Sequence, residues 1–374
     1  MLLGAVAAIA VLTVIGLVVL WPGRVEPVAE LEGDRFFGER IRADVVAVST
    51  GNCSYSSQPG EFSCDRLEFV VTSGSAEGTS DVLEVALGAG GPGIDAGDRV
   101  ILYRTTDADG AHYEFADFQR STPMLWLAGI FVVAVVAFGR WRGLFAVIGV
   151  GISMVVLIGF VLPALLNGEP PIWVALVSTS TVALLALYLA HGLSEKTSVA
   201  VLGTVSSLLL TCLLGVTFVH LTHLTGLASE EVGFLQAFGG QLDFAGLLLA
   251  GMVIGALGVL DDVTVTQVAA VWELREANPR ATTTELYRAG IRIGRDHIAS
   301  TVNTLVLAYA GASLPLLLLF RTAGQGLGAV ITGEAIAVEV VRALVGSIGL
   351  VSSVPITTGL AALVVTRAQP DPRR

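Results

Sequence analysis

The feature that most constrains the fold of this chain is a succession of long apolar segments. Each has the length that an α-helix needs to cross the hydrocarbon core of a bilayer. They are Leu2–Trp21 and then 123–139, 143–165, 172–191, 198–220, 246–270, 298–320 and 342–366. With 53% hydrophobic and 14% charged residues among 374, the composition is that of a multipass membrane protein rather than a soluble domain.

Between the first two apolar segments, the spacing of apolar residues changes from helical to alternating. Five stretches with this alternation predict strands: Ile41–Ser49, Leu67–Thr72, Val82–Leu87, Val100–Arg104 and Tyr113–Phe118. Turn-rich stretches separate them. Five strands in about 85 residues predict a small all-β barrel, with an OB-like arrangement as one candidate. The pattern gives neither the strand order nor the closure of the barrel.

The charge distribution indicates that this β-domain lies outside the cell. Residues 22–122 contain 18 acidic and 8 basic side chains, so they hold most of the formal charge of −11. Such a domain is poorly suited to an anionic inner leaflet, and the acidic total argues against nucleic-acid binding. Cys53 and Cys64 lie in one loop of the domain. We expect a disulfide between them, with two buried free thiols as the alternative.

The domain organisation follows from these segments. We predict a signal-anchor helix at 1–22, an extracytoplasmic β-domain at 23–122 and a seven-helix bundle at 123–367. The bundle includes a cytoplasmic amphipathic segment at 272–296, and a cytoplasmic tail follows at 368–374. No clear cleavage site follows Trp21, which favours an uncleaved anchor over a removed signal peptide.

Basic residues predict the orientation of the helices. Those expected at the cytoplasmic side are Arg140, Arg142, Lys196, Arg275, Arg280, Arg288, Arg292, Arg295, Arg367, Arg373 and Arg374. Arg321, in a loop assigned to the outside, does not fit. Lys196 is the only lysine, a bias that we attribute to a GC-rich bacterial genome. The prediction is therefore an α-helical polytopic protein of the bacterial plasma membrane with about eight transmembrane helices.

Two adjacent carboxylates, Asp261 and Asp262, interrupt the apolar segment 246–270. Each Asp near the centre of a membrane helix costs about 2.5–3.5 kcal/mol, so such residues usually have a function. Neighbouring helical positions point about 100° apart, and two close carboxylates in low dielectric titrate in coupled steps. We expect a buried pair that binds protons or ions, with Thr264, Thr266 and Gln267 nearby. The alternative is a helix cap at the cytoplasmic rim.

The next apolar segment offers polar groups on one helical face. Asp296, Ser300, Asn303 and Thr304 are spaced at i, i+4, i+7 and i+8. Within a bilayer, such groups must bond to each other, to another helix or to water. We expect them either to hold helices together or to line the same polar path as Asp261.

Small residues predict close helix packing and a hinge. Gly251, Gly255 and Gly258 permit close approach of another helix, while Gly346 and Pro355 suggest a hinge in the last segment. His220 and His223 lack a fixed third ligand, so no metal site is expected. No phosphate loop, nucleophile elbow or zinc-protease motif is present in the sequence. We therefore expect no cofactor and no catalytic residues.

Three stretches resemble the YibE/F family of bacterial multipass membrane proteins. They are Gly255–Gln267, Gly294–Thr304, and Val341–Leu350 with Val354–Thr358. This resemblance implies a membrane protein of unsettled molecular role. The order of Asp261, the stretch Trp272–Glu276 and the stretch Ser300–Thr304 is also similar to that in SecD, SecF and RND-type exporters. That second likeness implies that Asp261 or Asp262 corresponds to a proton-responsive Asp.

Two hypotheses of function follow. In the first, the chain is an ion- or proton-coupled transporter or exporter of unknown substrate that uses the Asp pair. In the second, it is a non-transporting accessory or scaffold subunit of an envelope secretion or synthesis complex. Expected partners are the lipid bilayer and either a second copy of the chain or an envelope complex.

Overall fold

The computed structural model describes residues 2–23, 38–53, 63–86, 93–107, 110–237, 242–324 and 326–367. The chain divides into two compact units. One is Glu26–Ala134, and the other combines Met1–Val25 with Val135–Arg374.

The smaller unit contains an antiparallel sheet. Its strands are β1 (Glu39–Asn52), β2 (Ser63–Val71), β3 (Ser80–Ala86), β4 (Arg99–Asp107) and β5 (Gly110–Phe118), in the order β3-β2-β1-β4-β5. The five predicted strands each overlap one of these. Among the described residues, β3 and β5 remain the edges, so the sheet is a half-barrel and not a closed barrel.

Alternation of apolar side chains builds the core of this sheet. Ile41, Ala43 and Val45 of β1 are buried together with Phe69 of β2 and Leu102 of β4. Every second residue of a strand points to the same face, so these residues form one apolar layer. Cys53 and Cys64, at the end of the β1–β2 pair where Asn52 pairs with Ser63, are joined by a disulfide bond.

A carboxylate fastens the turn after β2 to the first strand. The amide of Ser75 donates to Oε1 of Glu39 at 2.7 Å, and the hydroxyl of Ser75 donates to Oε2 of Glu39. Arg104 Nη1 lies 3.6 Å from the same Oε2. The hydrogen bonds from Ser75, assisted by Arg104, lower the pKa of Glu39 below its usual value.

Acidification is expected to loosen this turn first. Because the pKa of Glu39 is lowered in the folded sheet, its carboxylate stabilises the sheet above the unfolded-state pKa, and that contribution disappears as the pH falls through the lowered value. We expect hydrogen-exchange protection of the turn to drop below about pH 4, and Glu39→Gln to lower it already at neutral pH. Glu77→Gln, an exposed residue of the same turn, is the control. Equal protection in both variants at neutral pH would contradict the assignment.

The larger unit is helical, although its second helix begins in the smaller one. The helices are α1 (Leu2–Val19), α2 (Ser121–Val156), α3 (Leu162–Leu166), α4 (Pro171–His191), α5 (Glu195–Leu221), α6 (Glu230–Ala237), α7 (Phe244–Ala277), α8 (Thr283–Ala312), α9 (Leu314–Thr322), α10 (Leu327–Thr332) and α11 (Glu334–Arg367). A π-helical turn, Leu157–Val161, connects α2 to α3. Helices α5, α7 and α11 pack against one another, with α4 and α8 against their outer sides.

Six helices in the described ranges are long and apolar enough to cross a membrane, or seven if α8 and α9 form one span bent by 57°. In that count, α2 to α3 is a single helix. Its backbone leaves helical geometry at Arg140, however, where φ is 52°. A Cβ at Gly143 would collide with the backbone of Val135, so the chain folds back on itself between these two residues. This reversal falls between the predicted segments 123–139 and 143–165.

Helix α8 departs from the predicted organisation. The amphipathic segment and the next apolar segment were expected to be separate, but α8 runs from Thr283 to Ala312 without a break. The break comes later, at Ser313, because Pro315 occupies the first turn of α9. A capping box begins α8, since Thr282 and Glu285 bond each other's backbone amides.

Candidate functional site

The two adjacent carboxylates of α7 lie in different environments. Asp261 is half-buried, and its Oδ1 atom is inaccessible to solvent. The side chain of Asp262 is 75% exposed, with its Oδ2 atom 4.0 Å from Nε2 of His297. The structure does not support the expectation that both carboxylates are buried between helices, because Asp262 lies outside the helix packing. A rotation of about 100° per residue turns one side chain toward the helix interface and the other away from it.

Asp261 lines a cavity of about 400 Å³ in the outer part of the bundle. Three elements form its walls: the C-terminal part of α2 with the π-helical turn, α4, and α7. The wall is largely apolar and includes Phe145, Met154 and Leu257. Within the described part of the chain, Asp261 Oδ1 has no hydrogen-bond partner. A buried carboxylate oxygen without a partner is costly, and that cost marks the position as a candidate functional site.

The other polar groups of the cavity wall are Ser153, Ser178, Thr179 and His191. Three of them already use their hydroxyl protons within their own helices. Ser153 donates to the Gly149 carbonyl at 3.0 Å, Ser178 to Ala175 at 3.0 Å, and Thr179 to Ala175 at 2.7 Å. Because the hydroxyl protons are engaged, these groups can offer a ligand only acceptor lone pairs. The sequence analysis did not identify them, since isolated Ser and Thr in apolar helices are common.

One and two turns beyond Asp261, α7 is tied to its neighbours by buried hydrogen bonds. The amide of Gln267 donates to the Gly290 carbonyl at 2.7 Å and to the Thr358 hydroxyl at 2.8 Å. The hydroxyls of Thr204 and Thr264 lie 2.7 Å apart. These bonds join α7 to α8, α11 and α5. Gln267 and Thr264 were predicted to belong to an ion path, but here they bond helices together.

The predicted polar face of α8 does not meet Asp261. Asp296, Ser300, Asn303 and Thr304 are all exposed on the outside of the bundle. Thr266 of α7 is also exposed, and its hydroxyl donates to the Asp262 carbonyl at 2.7 Å. The reason is that Gly290 and Gly294 occupy the inner side of α8, where they contact α7 and α11. The polar residues consequently point away from the helices described here.

The predicted packing glycines have mixed roles. Nothing lies within 4 Å of the position where a Cβ would stand at Gly251 or Gly258, so neither marks a close helix contact among the described residues. A Cβ at Gly255 would stand 3.5 Å from the hydroxyl oxygen of Tyr309, and a Cβ at Gly346 would stand 3.4 Å from the side chain of Leu305. Helix α11 continues through Pro355 without interruption. Close approach occurs instead at Gly349 and at three glycines that the sequence did not single out for packing, namely Gly203, Gly290 and Gly294.

His220 and His223 lie close together at the end of α5. Their ring centroids are 6.5 Å apart. A search of the described residues found no group of three His, Cys, Asp or Glu side chains that could hold a metal ion. Asp261 in its cavity is thus the strongest candidate site in the helical unit.

Comparison with known proteins identifies a family. A family model described as "YibE/F-like protein" matches residues 127–367, which include every helix around the cavity. No curated protein and no solved structure matches the chain.

Proposed function

Because this chain belongs to the YibE/F-like family, as its motifs indicated, we propose that it is a multipass protein of the bacterial plasma membrane that couples transport to proton or ion binding at Asp261. The observation that carries this proposal is that Asp261, whose Oδ1 atom is buried without a partner among the described residues, lines a largely apolar cavity. No catalysed reaction and no resident cofactor form part of it.

The proposed orientation has the β-sheet unit outside and the C-terminus in the cytoplasm, with eight membrane crossings. The chain reversal at Arg140 divides α2 into two apolar segments, and α8 with α9 supplies one bent crossing. The excess of basic residues at alternate connections supports this orientation. The disulfide between Cys53 and Cys64 is consistent with an oxidising compartment.

The proposed coupling acts through the helices around the cavity. A charged carboxylate in an apolar site is unfavourable, and binding of a proton or cation relieves the cost. The next turns of α7 are fastened by Thr264 and Gln267, so this part of the helix resists displacement. Helix α4 and the π-helical turn at Leu157–Val161 make apolar contacts there, and among the described residues they form no such hydrogen bond to Asp261. We expect binding at Asp261 to shift these elements, since π-helical turns are often found at functional sites.

Proton uptake into proteoliposomes tests this proposal. Vesicles that contain the purified protein and an internal pH dye are given an imposed membrane potential. We expect Asp261→Asn to reduce proton uptake about tenfold or more, because asparagine cannot carry the proton. Asp262→Asn is the matched control and should retain uptake, since that side chain is exposed. Equal uptake by wild type and Asp261→Asn would contradict the proposal.

A specific observation favours the second candidate function, an accessory subunit. Asp262, Asp296, Ser300, Asn303 and Thr304 form an exposed polar surface on helices apolar enough to lie in a membrane. Polar groups at that depth are normally covered by protein or face a water-filled cavity. A partner subunit or second copy bound to this surface would satisfy them.

Co-purification separates the two functions. Under the accessory hypothesis, a stable heteromeric partner remains bound to the purified protein, and replacing Asn303 by leucine releases it. In that case Asp261→Asn should leave cargo handling unchanged, whereas deletion of residues 24–120 should abolish it. A self-contained particle with proton uptake favours the transporter.

A further inference from the structure

The cavity beside Asp261 has a chemical character that specifies a class of ligand. Its volume of about 400 Å³ falls within the range of pockets that hold small organic molecules. Its apolar wall suits an apolar ligand body, and Phe145 adds an aromatic ring. The pocket therefore fits an organic molecule better than a hydrated inorganic ion.

The polar atoms of the wall select the charge of that molecule. Asp261 brings the formal negative charge, and its Oδ1 atom has no partner among the described residues. The protons of Ser153, Ser178 and Thr179 are already donated to backbone carbonyls. What remains on these groups is acceptor capacity, which favours a cation and disfavours an anion.

Other charged groups near the cavity lie at its margin. His191, on α4, is the second titratable residue of the wall, and the lining stretch of α2 contributes none. A neighbouring cavity shares His191 and also contains Arg142, Lys196 and Glu273. On the far side of α7, Asp262 faces His297 of α8, and on α11 Arg342 pairs with Glu339 at 2.9 Å. Within the described wall, Asp261 is thus the acid that a bound cation would meet.

We propose that the Asp261 cavity binds a lipophilic organic cation, which competes with a proton for the same carboxylate. This inference rests on the proposed function and names the substrate class of that site. One carboxylate can neutralise either a proton or the cation, but not both. Such competition exchanges one positive charge for another and requires no second coupling site.

Equilibrium binding of radiolabelled tetraphenylphosphonium to the purified full-length protein tests the inference. We expect binding at about pH 8 that weakens as the pH is lowered, by about tenfold one pH unit below the apparent pKa of the site, as protons compete for the carboxylate. Asp261→Asn should lose binding to a similar extent and lose its pH dependence, whereas Asp262→Asn should behave as wild type. The neutral analogue triphenylphosphine oxide should not displace the cation.

Two further variants keep the test decisive if Asp261→Asn folds poorly. Asp261→Glu retains the charge and should retain pH-dependent binding. Gly258→Leu should block binding without removing the carboxylate, because Gly258 lines the cavity and has open space around it. Undiminished binding by Asp261→Asn or Gly258→Leu would overturn the inference. If the protein does not bind the cation but proton uptake depends on Asp261, the proposed substrate class is wrong and the proposed function stands. If cation binding depends on Asp261 but no proton uptake occurs, the proposed coupling is wrong.

Discussion

Replacing Gly294 by valine is expected to destabilise the helical unit by about 3 kcal/mol, at the upper end of the range for overpacking. A Cβ atom at this position would collide with Val354 of α11 and would stand 3.0 Å from Oε1 of Gln267. Both neighbours are buried in the centre of the bundle, so neither can move without disturbing other contacts. The second methyl branch of valine adds to the collision.

The buried thiol of Cys212 provides a measurement of this effect. Cys212 is the free cysteine of the described residues and lies inside α5. A thiol-reactive fluorescent dye in detergent therefore reports the temperature at which the bundle opens. Gly251→Val is the matched control, because a Cβ there meets nothing within 4 Å. Equal melting temperatures for the two variants would show that α8 and α11 do not approach as closely as described.

Replacing Gln267 by leucine is the second large expected effect, a loss of about 2 kcal/mol. The substitution keeps an apolar side chain of similar size, but removes the donor that serves the Gly290 carbonyl and the Thr358 hydroxyl. Buried polar groups that lose a partner cost about 1–3 kcal/mol. The same dye assay measures the change. Thr266→Val is the control, since that hydroxyl is exposed and bonds only its own helix; a matching loss there would contradict the role of Gln267.

The apolar segments and strand alternation in the sequence predicted much of the fold. Periodicity is a local property, so it indicated the helices around the cavity and all five strands. It could not indicate that β3 and β5 remain edges, because closure of a barrel depends on contacts between distant strands. Nor could it show that α8 is continuous, since the change from amphipathic to apolar composition resembles a boundary.

The candidate site was predicted less well, for a physical reason. Sequence gives the angle between Asp261 and Asp262, but not which of them faces the neighbouring helix. The spacing of Asp296, Ser300, Asn303 and Thr304 correctly placed them on one face. The opposite face carries Gly290 and Gly294, and these glycines allow the closest approach of α11. Close backbone contact determined the orientation of α8, which left the polar face outside.

Infrared difference spectroscopy of the purified protein in lipid is the most direct test of proton binding at Asp261. Acidification should produce the carbonyl band of a protonated carboxyl group. We expect Asp261→Asn to remove one component of that band and Asp262→Asn to leave this component in place. A spectrum that Asp261→Asn does not change would contradict the assignment of Asp261 as the proton-binding carboxylate.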